Sequence, residues 1–152
     1  MIRIKHILTT VAFIFNDDDK LLFISKDGQN WGPIGGHIEA ETIEDGIRRE
    51  IMEEIGVDSL EYIDVLDISR FYDKNEQCFK YATSILMKLT QGIPTPSREI
   101  SNYQLKWISI HELKMKPLLR EVVQKAIYII DKYKHDKSIL FWKKDWKQSK
   151  EK

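Results

Sequence analysis

A chain of 152 residues is long enough for a single domain with one hydrophobic core. Hydrophobic residues make up 42% of it and charged residues 32%, a globular composition that excludes a wholly disordered protein. No apolar run approaches the roughly 20 residues of a membrane span, and one cysteine cannot form a disulfide framework or a cysteine metal site. These features make a cytoplasmic location the default expectation.

The formal net charge of zero conceals an uneven distribution of charge along the chain. Residues 132–152 carry eight lysines against three acids, which gives this segment a net charge of +5. Residues 39–54 carry seven acids against two arginines, which gives a net charge of −5. The acidic segment is therefore the first candidate for a functional site.

Two strands joined by a tight turn are predicted near the N-terminus. Residues 4–15 are apolar and β-branched, residues 16–20 (NDDDK) have turn composition, and residues 21–25 are apolar again. The basic, apolar start also resembles a signal peptide, but it lacks a small-residue cleavage site and runs directly into the turn. We therefore expect a β-hairpin. Residues 26–36 contain four glycines and a proline, which predicts a loop.

A helix is predicted over residues 43–55. Thr42 is a suitable N-terminal cap, and Glu44 and Asp45 suit the first turn, where the helix dipole favours negative charge. Gly56 suits the end of the helix because glycine readily adopts the left-handed conformation found there.

The remaining elements complete a mixed α/β pattern. Strands are predicted over residues 60–73, 78–90 and 104–110, with a proline-containing loop over residues 92–99. The last element is a helix beginning near Pro117, with an apolar side. That side consists of Leu118, Val122, Ala126, Ile129 and Ile130. The order fits an α/β fold in which helices pack on a mixed β-sheet better than it fits a doubly wound parallel sheet.

Three glutamates crowd one side of the helix predicted over residues 43–55. Glu50, Glu53 and Glu54 are spaced i, i+3 and i+4, where like charges destabilise a helix. At about 100° per residue they lie beside the apolar stripe of the helix and not opposite it. This stripe consists of Ile47, Ile51 and Ile55. The spacing fits either a divalent-cation site, because Mg²⁺ prefers carboxylate, water and phosphate oxygens, or an ordinary solvated acidic face.

The segment GGHIEAETIEDGIRREIMEEIGV, residues 35–57, favours the first alternative. It resembles the signature of the Nudix hydrolases: Gly, five residues, Glu, seven residues, then Arg-Glu-apolar-any-Glu-Glu-any-Gly-apolar. Nine constrained positions match within 23 residues, and the resemblance extends over residues 4 to 130. The matching residues are Gly35, Glu41, Arg49, Glu50, Ile51, Glu53, Glu54, Gly56 and Val57. The stretch GGHIEAE is one residue shorter than the family's usual Gly-Gly-any-apolar-Glu-any-Gly-Glu, so we expect a tightened loop before Glu41.

The resemblance to the Nudix family implies a fold, an activity and a set of site residues. The fold is an α/β/α sandwich, and the activity is hydrolysis of a pyrophosphate bond in a nucleoside triphosphate or another nucleoside diphosphate derivative, with Mg²⁺ or Mn²⁺. The metal ligands it implies are Glu50, Glu53, Glu54 and the carbonyl of Gly35 or Gly36. Glu50 or Glu53 also orients or deprotonates the attacking water. Arg49, which we group with these catalytic residues, lies four residues before Glu53, and this i,i+4 spacing predicts an ion pair that supports Glu53.

A catalytic base outside the motif is a further expectation from the resemblance. Glu99 is suitably placed, in the loop that enters the late strand. The alternative for Glu99 is an ordinary loop acid.

Substrate contacts are predicted with an alternative for each residue. Lys26 ends the second strand beside the glycine-rich loop, where it would meet a phosphate or serve as a surface lysine. His37 follows the glycine pair and would contact phosphate or metal, or be a structural or solvated histidine. Trp31, Phe71 and Tyr72 have aromatic faces that can stack on a base, although such residues are more often part of a core. Family members that cleave ADP-ribose or dinucleoside polyphosphates tend to carry a proline or a tyrosine shortly after the motif. Here no proline lies between residues 58 and 93, and Tyr72 is only an approximate match for the tyrosine, so neither subgroup is favoured.

We predict one domain over residues 1–136 and a basic, aromatic tail over residues 137–152. The tail suits RNA, a membrane surface or a protein partner, or alternatively packs back on the domain as a short helix. The favoured function is a pyrophosphohydrolase acting on a small nucleotide. A nucleotide-binding or regulatory module without catalysis and an RNA 5′-end pyrophosphohydrolase are the alternatives; nucleic acid is the less favoured partner, and a homodimer is compatible with the sequence.

Overall fold

The computed structural model describes residues 5–116 and 121–135. Strands β1 (His6–Phe15) and β2 (Leu21–Ser25) form the predicted hairpin, with Phe15 paired to Leu21. In the turn between them, the side chain of Asn16 accepts hydrogen bonds from the backbone N–H groups of Asp18 and Lys20, each at 3.0 Å.

The prediction of a loop over residues 26–36 was wrong for its last three residues, which belong to strand β3 (Ile34–His37). This strand pairs antiparallel with β1, with Gly35 opposite Val11 and Gly36 opposite Thr10. A Cβ atom added at Gly35 would overlap the backbone oxygen of Thr10 and the side chain of Val11. The glycines therefore permit a close approach between neighbouring strands, a role that composition alone does not distinguish from a loop.

Helix α1 (Ile43–Ile55) has the predicted bounds and caps. The hydroxyl of Thr42 accepts a hydrogen bond from the backbone N–H of Asp45 at 3.1 Å. Gly56 ends the helix in the left-handed conformation, with a φ of 67°, and its N–H donates to the carbonyl of Met52.

Strands β4 (Leu60–Asp73) and β5 (Cys78–Leu89) correspond to the strands predicted over residues 60–73 and 78–90, and they pair antiparallel as a second hairpin. β5 then pairs in parallel with β1, while β6 (Gln104–Ile108) pairs antiparallel with β2. The strand order is β4-β5-β1-β2-β6, and β3 also pairs with β1. The sheet is mixed, as predicted, and β4 lies at one edge of it.

The chain after β6 differs from the prediction in detail. The strand ends at Ile108 because Ser109 caps a short helix, α2 (Ile110–Lys114), by accepting a hydrogen bond from the N–H of Glu112 at 3.2 Å. A 3₁₀ helix (Arg98–Ile100) also forms within and just beyond the predicted loop over residues 92–99.

Helix α3 (Glu121–His135) is the last described element. Its predicted start near Pro117, and the predicted apolar position Leu118, lie outside the described residues. The buried face of the helix is rotated by about one residue relative to the predicted apolar face. As a result, Val122 and Ile129 are only partly buried. The buried residues of this helix are Val123, Ala126, Ile127 and Ile130.

Two hydrophobic cores lie on opposite faces of the sheet. On one face, Ile47, Ile51 and Ile55 of α1 pack with residues such as Ala12 and Ile85. On the other face, α2 and α3 pack over a core that includes Phe13, Phe23 and Leu86. This arrangement is the predicted α/β/α sandwich.

Within the described ranges, none of the helices combines the length and the apolarity needed to cross a bilayer.

Candidate active site

The carboxylates of α1 lie beside the isoleucine stripe, as the helical spacing predicts. The side chain of Glu50 is 16% exposed and that of Glu53 is 59% exposed. Glu54 is partly buried, and the next residue, Ile55, is fully buried in the core. The three acids thus pass from the protein interior to solvent across one side of the helix.

Arg49 connects this acidic side to the loop before the helix. Its guanidinium makes a bidentate contact with Glu41, through Nη2 to Oε1 at 2.6 Å and Nε to Oε2 at 3.1 Å. Nη1 contacts Glu50 at 3.0 Å and Glu53 at 3.3 Å, so the predicted ion pair between Arg49 and Glu53 is present. Nη2 also donates to the backbone oxygen of His37 at 3.1 Å.

These contacts shift the protonation equilibria of the paired groups. Hydrogen bonding from Arg49 lowers the pKa of Glu41 below its usual value, and the bonds to Glu41 and Glu50 raise the pKa of the Arg49 guanidinium. Both groups are therefore charged at neutral pH. The same carboxyl group also contacts the shortened loop, because the N–H of Glu39 donates to Glu41 Oε1 at 3.2 Å. Glu41 thus links Arg49 to the loop before the helix.

Gly36 provides a flat surface for Glu50. A Cβ atom added at this position would overlap the carboxyl group of Glu50. Strand β3 therefore lies directly against the carboxylate, and any side chain at residue 36 would displace it. Gly35, the glycine predicted as a metal ligand, lies one residue earlier in the same strand.

Gly46 is a positioning residue that the sequence reasoning missed. A Cβ atom added there would meet the end of the Ile38 side chain and the carboxyl of Glu41. Glycine costs about 1 kcal/mol relative to alanine inside a helix, so its presence in the second turn of α1 was the available signal of close packing.

Glu54 is the carboxylate with the most unusual surroundings. Its Oε2 atom is buried and has no hydrogen-bond partner. Burial, followed by repulsion from Glu50 and Glu53, raises the pKa of Glu54 to about 7. The backbone oxygens of Glu54 and Ile55 accept hydrogen bonds from Ser97 at 2.8 Å and Thr95 at 3.0 Å, which join the loop before β6 to the end of α1.

The donor set has the chemistry of a divalent-cation site, although its side chains do not converge. Glu50, Glu53 and Glu54 supply hard oxygen donors, and a buried carboxylate oxygen without a partner is the kind of atom that a cation would satisfy. Over residues 5–116 and 121–135, however, no three His, Cys, Asp or Glu side chains are grouped closely enough to hold a metal ion. Glu50 and Glu53 are instead directed at the Arg49 guanidinium.

Two of the three predicted base and phosphate contacts, Glu99 and His37, adjoin this group. Glu99 is exposed in the 3₁₀ helix, two residues beyond the Ser97 that bonds to Glu54. Lys26 is exposed directly after β2, as expected for either of its predicted roles. His37 ends β3 with an exposed side chain, and only its backbone oxygen contacts Arg49.

The three predicted base-stacking aromatics lie in two different places. Trp31 is partly buried against the core under α3, and Lys106 Nζ lies 6.0 Å from the centre of its ring. Phe71 and Tyr72 lie on β4 at the edge of the sheet, three strands from β3. At about 4.8 Å per strand, this is about 14 Å across the sheet from the glycine pair. The structure therefore does not bring Phe71 and Tyr72 together with the carboxylates.

A family model described as "NUDIX domain" matches residues 5–129 of the chain, a range that contains the carboxylates and every strand of the sheet. The chain belongs to the Nudix family. Nudix enzymes hydrolyse nucleoside diphosphate derivatives and generally use divalent metals, so the predicted class, a Nudix-type pyrophosphohydrolase, is confirmed. The match ends within α3 and leaves the predicted boundary at residue 136 untested.

Solved structures of other proteins share the Nudix fold. A MutT protein from Methanosarcina mazei Go1 has a TM-score of 0.66 at 19% identity, with 88% of this chain and 99% of that chain covered. An Ap4A hydrolase from C. elegans has a TM-score of 0.65 at 18% identity, covering 84% and 96%. An ADP-ribose pyrophosphatase from Streptococcus suis 89-1591 has a TM-score of 0.59 at 25% identity, covering 82% and 90%. No curated protein matches the chain significantly.

Proposed function

We propose that this Nudix protein hydrolyses a pyrophosphate bond in a nucleoside triphosphate or another nucleoside diphosphate derivative, in a reaction that depends on Mg²⁺ or Mn²⁺. The observation that carries the proposal is the Oε2 atom of Glu54, which is buried without a hydrogen-bond partner beside two further carboxylates. A protein does not gain stability from such an arrangement, because an unpaired buried charge costs free energy. A bound cation would remove that cost.

The residues of α1 and β3 would hold the metal between them. We propose Glu50, Glu53, Glu54 and the carbonyl of Gly35 as ligands. The bound metal would neutralise charge on the phosphoryl oxygens and lower the pKa of a bound water. Arg49 would orient Glu50 and Glu53 through the two contacts of its Nη1 atom.

The proton of the attacking water requires an acceptor. We propose Glu50 or Glu53 for this role, with Glu99 as the acceptor from outside the motif. The exposed position of Glu99 near the Glu54–Ser97 contact is compatible with this role. A carboxylate that acts as a base must lie within hydrogen-bond reach of the water, directly or through one further water.

Substrate contacts are proposed around the same carboxylates. Lys26 and His37 would contact the phosphates. Lys26 is exposed at the start of the segment between β2 and β3, and His37 is exposed at the end of β3. Trp31 would stack on a base, and the same role for Phe71 and Tyr72 stays a prediction because of their distance from β3. We further propose a cytoplasmic location, because a chain with a single cysteine lacks the disulfide framework of small secreted domains.

A phosphate-release screen with coupling enzymes tests the proposal: inorganic pyrophosphatase cleaves the pyrophosphate released from triphosphates, and alkaline phosphatase releases phosphate from the phosphomonoesters formed from the other substrates. Its substrates are nucleoside triphosphates, nucleoside diphosphate sugars, ADP-ribose, dinucleoside polyphosphates and 5′-triphosphate RNA, each with and without Mg²⁺. The matched variants are Glu53→Gln and Glu54→Gln, and the control is Glu44→Gln, an acid of the same helix that pairs with Arg48 at 3.0 Å. We expect metal-dependent turnover in the wild type and in Glu44→Gln, and a loss of at least about 100-fold in the other two.

Two outcomes would contradict the proposal. The first is the absence of metal-dependent turnover on any substrate, which would favour a nucleotide-binding module without catalysis. The second is full activity of Glu53→Gln and Glu54→Gln. Preference for 5′-triphosphate RNA would instead direct attention to the basic tail at residues 137–152, which lies outside the described residues.

A further inference from the structure

Strand β4 presents an open edge of the sheet. It is 14 residues long and stands at the end of the strand order, where β5 is its only strand neighbour in the described part of the chain. Half of its backbone N–H and C=O groups therefore point away from the sheet. Such an edge is a template for pairing with another strand, and proteins commonly protect it with bulges or charges.

The bulges lie only in the first half of β4. Register shifts interrupt the pairing with β5 between Tyr62 and Asp64 and between Val65 and Asp67. From Ile68 to Asp73, the pairing with β5 is continuous and regular. A regular strand with a free edge can extend a sheet without rearrangement.

Apolar side chains are exposed on this regular half, beside the charged Arg70 and Asp73. Ile68 is 62% exposed, Phe71 47% and Tyr72 50%. The other exposed large apolar residues that the structure describes are scattered over separate elements. They are Met52, Ile93, Met115 and Tyr128. Because side chains alternate along a regular strand, Ile68 and Tyr72 project from one face and Phe71 from the other, so the edge is apolar on both faces. Exposed apolar side chains grouped on one edge mark an interaction surface.

An aromatic row leads across the sheet to the same edge. The Tyr72 ring meets Phe79 edge-to-face with centroids 5.2 Å apart, and His6 stacks on Phe79 at 5.9 Å. The guanidinium of Arg70 lies 3.8 Å from the centre of the Phe79 ring. The edge is thus held in place by packed rings, and a strand added to it would continue the row.

We propose that a second copy of this chain binds here, with Ser69–Asp73 of the two copies paired antiparallel about a two-fold axis at Phe71. A two-fold axis perpendicular to the sheet keeps each side chain on its own face, so residues that lie opposite each other must project from the same face. The axis must therefore pass between the two copies of one residue, and it cannot pass between two successive residues. At Phe71, this register stacks Phe71 on its partner copy and places Arg70 opposite Tyr72 twice.

The registers with the axis at Arg70 and at Ser69 are less favourable for identifiable reasons. An axis at Arg70 would place two arginines opposite each other, which is destabilising. An axis at Ser69 would extend the pairing into the register shift between Val65 and Asp67. The axis at Phe71 avoids both and leaves Ser69 opposite Asp73, where a hydroxyl can donate to a carboxylate. This inference does not depend on the proposed hydrolysis.

The solution mass as a function of concentration tests the interface. We expect light scattering to give a species of twice the 18.0 kDa chain mass at high concentration, dissociating on dilution. Phe71→Lys should abolish the dimer, because it places two cations opposite each other on the axis. Tyr128→Lys is the matched control, since Tyr128 is equally aromatic and exposed but lies on α3. Circular dichroism of both variants checks that the fold is retained.

A cysteine placed on the axis tests the register. Phe71→Cys should form a covalent dimer under mild oxidation or with a short bismaleimide, whereas Tyr128→Cys should not. The native Cys78 is fully buried and does not compete. A monomer at all concentrations, or a dimer that survives Phe71→Lys, would overturn the proposal. The proposal would also be overturned if Phe71→Lys raised KM without changing the solution mass, and Phe71 would then be assigned to base stacking.

Discussion

Two adjacent sides of helix α1, within the same 13 residues, make opposite contributions to the stability of the fold. One side presents Ile47, Ile51 and Ile55, all fully buried in the core. The adjacent side presents Glu50, Glu53 and Glu54, and burial, followed by repulsion from Glu50 and Glu53, raises the pKa of Glu54 to about 7. The first side stabilises the fold, whereas the second reduces stability as long as its charges are not neutralised.

This contrast explains why a chain of zero net charge concentrates acids in one place. Packing of the isoleucines fixes the rotation of the helix about its axis, and the fixed rotation places the carboxyl of Glu50 against Gly36 of β3. A site that must bind a cation needs uncompensated negative charge, and a rigid helix can carry it because the neighbouring side supplies the stability. The predictions below separate the two sides, from the largest expected free-energy change to the smallest.

Ile51→Ala should have the largest effect, on stability. Removing a fully buried isoleucine leaves a cavity under the centre of α1, and such changes cost about 2–5 kcal/mol. Urea unfolding in the absence of divalent metal measures this loss. The neighbouring Met52→Ala is the control, because Met52 is exposed and its truncation should change stability by less than about 0.5 kcal/mol. Similar losses for both variants would mean that the isoleucine side is not the stabilising one.

Arg49→Lys should affect activity more than stability. A lysine ammonium cannot contact Glu41, Glu50 and Glu53 at once, so the carboxylates would lose their common orientation. We expect kcat/KM to fall by about 10- to 100-fold, equivalent to about 1.4–2.7 kcal/mol. Arg48→Lys is the matched control, since Arg48 pairs with Glu44 on the other flank of the helix. Equal activity of Arg49→Lys and the wild type would remove the positioning role.

The local part of this site was predictable from the sequence. The bounds of α1 depend on caps at Thr42 and Gly56, and both act within one turn of the helix. The position of Glu50 and Glu54 beside the buried stripe follows from the helical period alone. The Arg49–Glu53 ion pair is likewise a contact between successive turns.

The remainder depends on contacts between distant parts of the chain. Glycine composition indicated a loop where Gly35 and Gly36 instead form a strand against β1, because only the tertiary fold brings Thr10 close to them. The contact between Arg49 and Glu41 crosses the shortened loop, for which helical periodicity gives no rule. Parallel pairing of β1 with β5, residues 6–15 with residues 79–88, has no local signal at all.

Glu54→Gln should stabilise the metal-free protein at pH 8. The raised pKa means that the folded state binds a proton between pH 4.5 and about 7 that the unfolded state has released, so stability falls as pH rises through this window. We expect a gain of about 1–2 kcal/mol at pH 8, after allowance for the partial solvent exposure of the carboxyl, and no gain below pH 4.5. Urea unfolding with EDTA at both pH values measures the difference.

Addition of Mg²⁺ extends the same experiment. A cation that binds the folded state stabilises it, and it requires ionised carboxylates, so the wild type should gain more at pH 8 than at pH 6. Glu54→Gln should gain less than the wild type at either pH. If Mg²⁺ stabilised both proteins equally, Glu54 would not be a ligand, and the repulsion on this side of the helix would need another explanation.

Thr42→Ala should have the smallest effect and should act on both sides of the helix alike. It removes the hydroxyl that accepts from Asp45, a cap worth about 1 kcal/mol, while Thr42→Ser keeps the hydroxyl and should match the wild type. Because the core and the carboxylates both lie beyond the first turn, the lost stability should not be accompanied by a lower kcat/KM at 25 °C. A large loss of activity in Thr42→Ala, with Thr42→Ser fully active, would show that the start of the helix orients the carboxylates directly. The division of α1 into a stabilising side and a functional side would then hold only beyond its first turn.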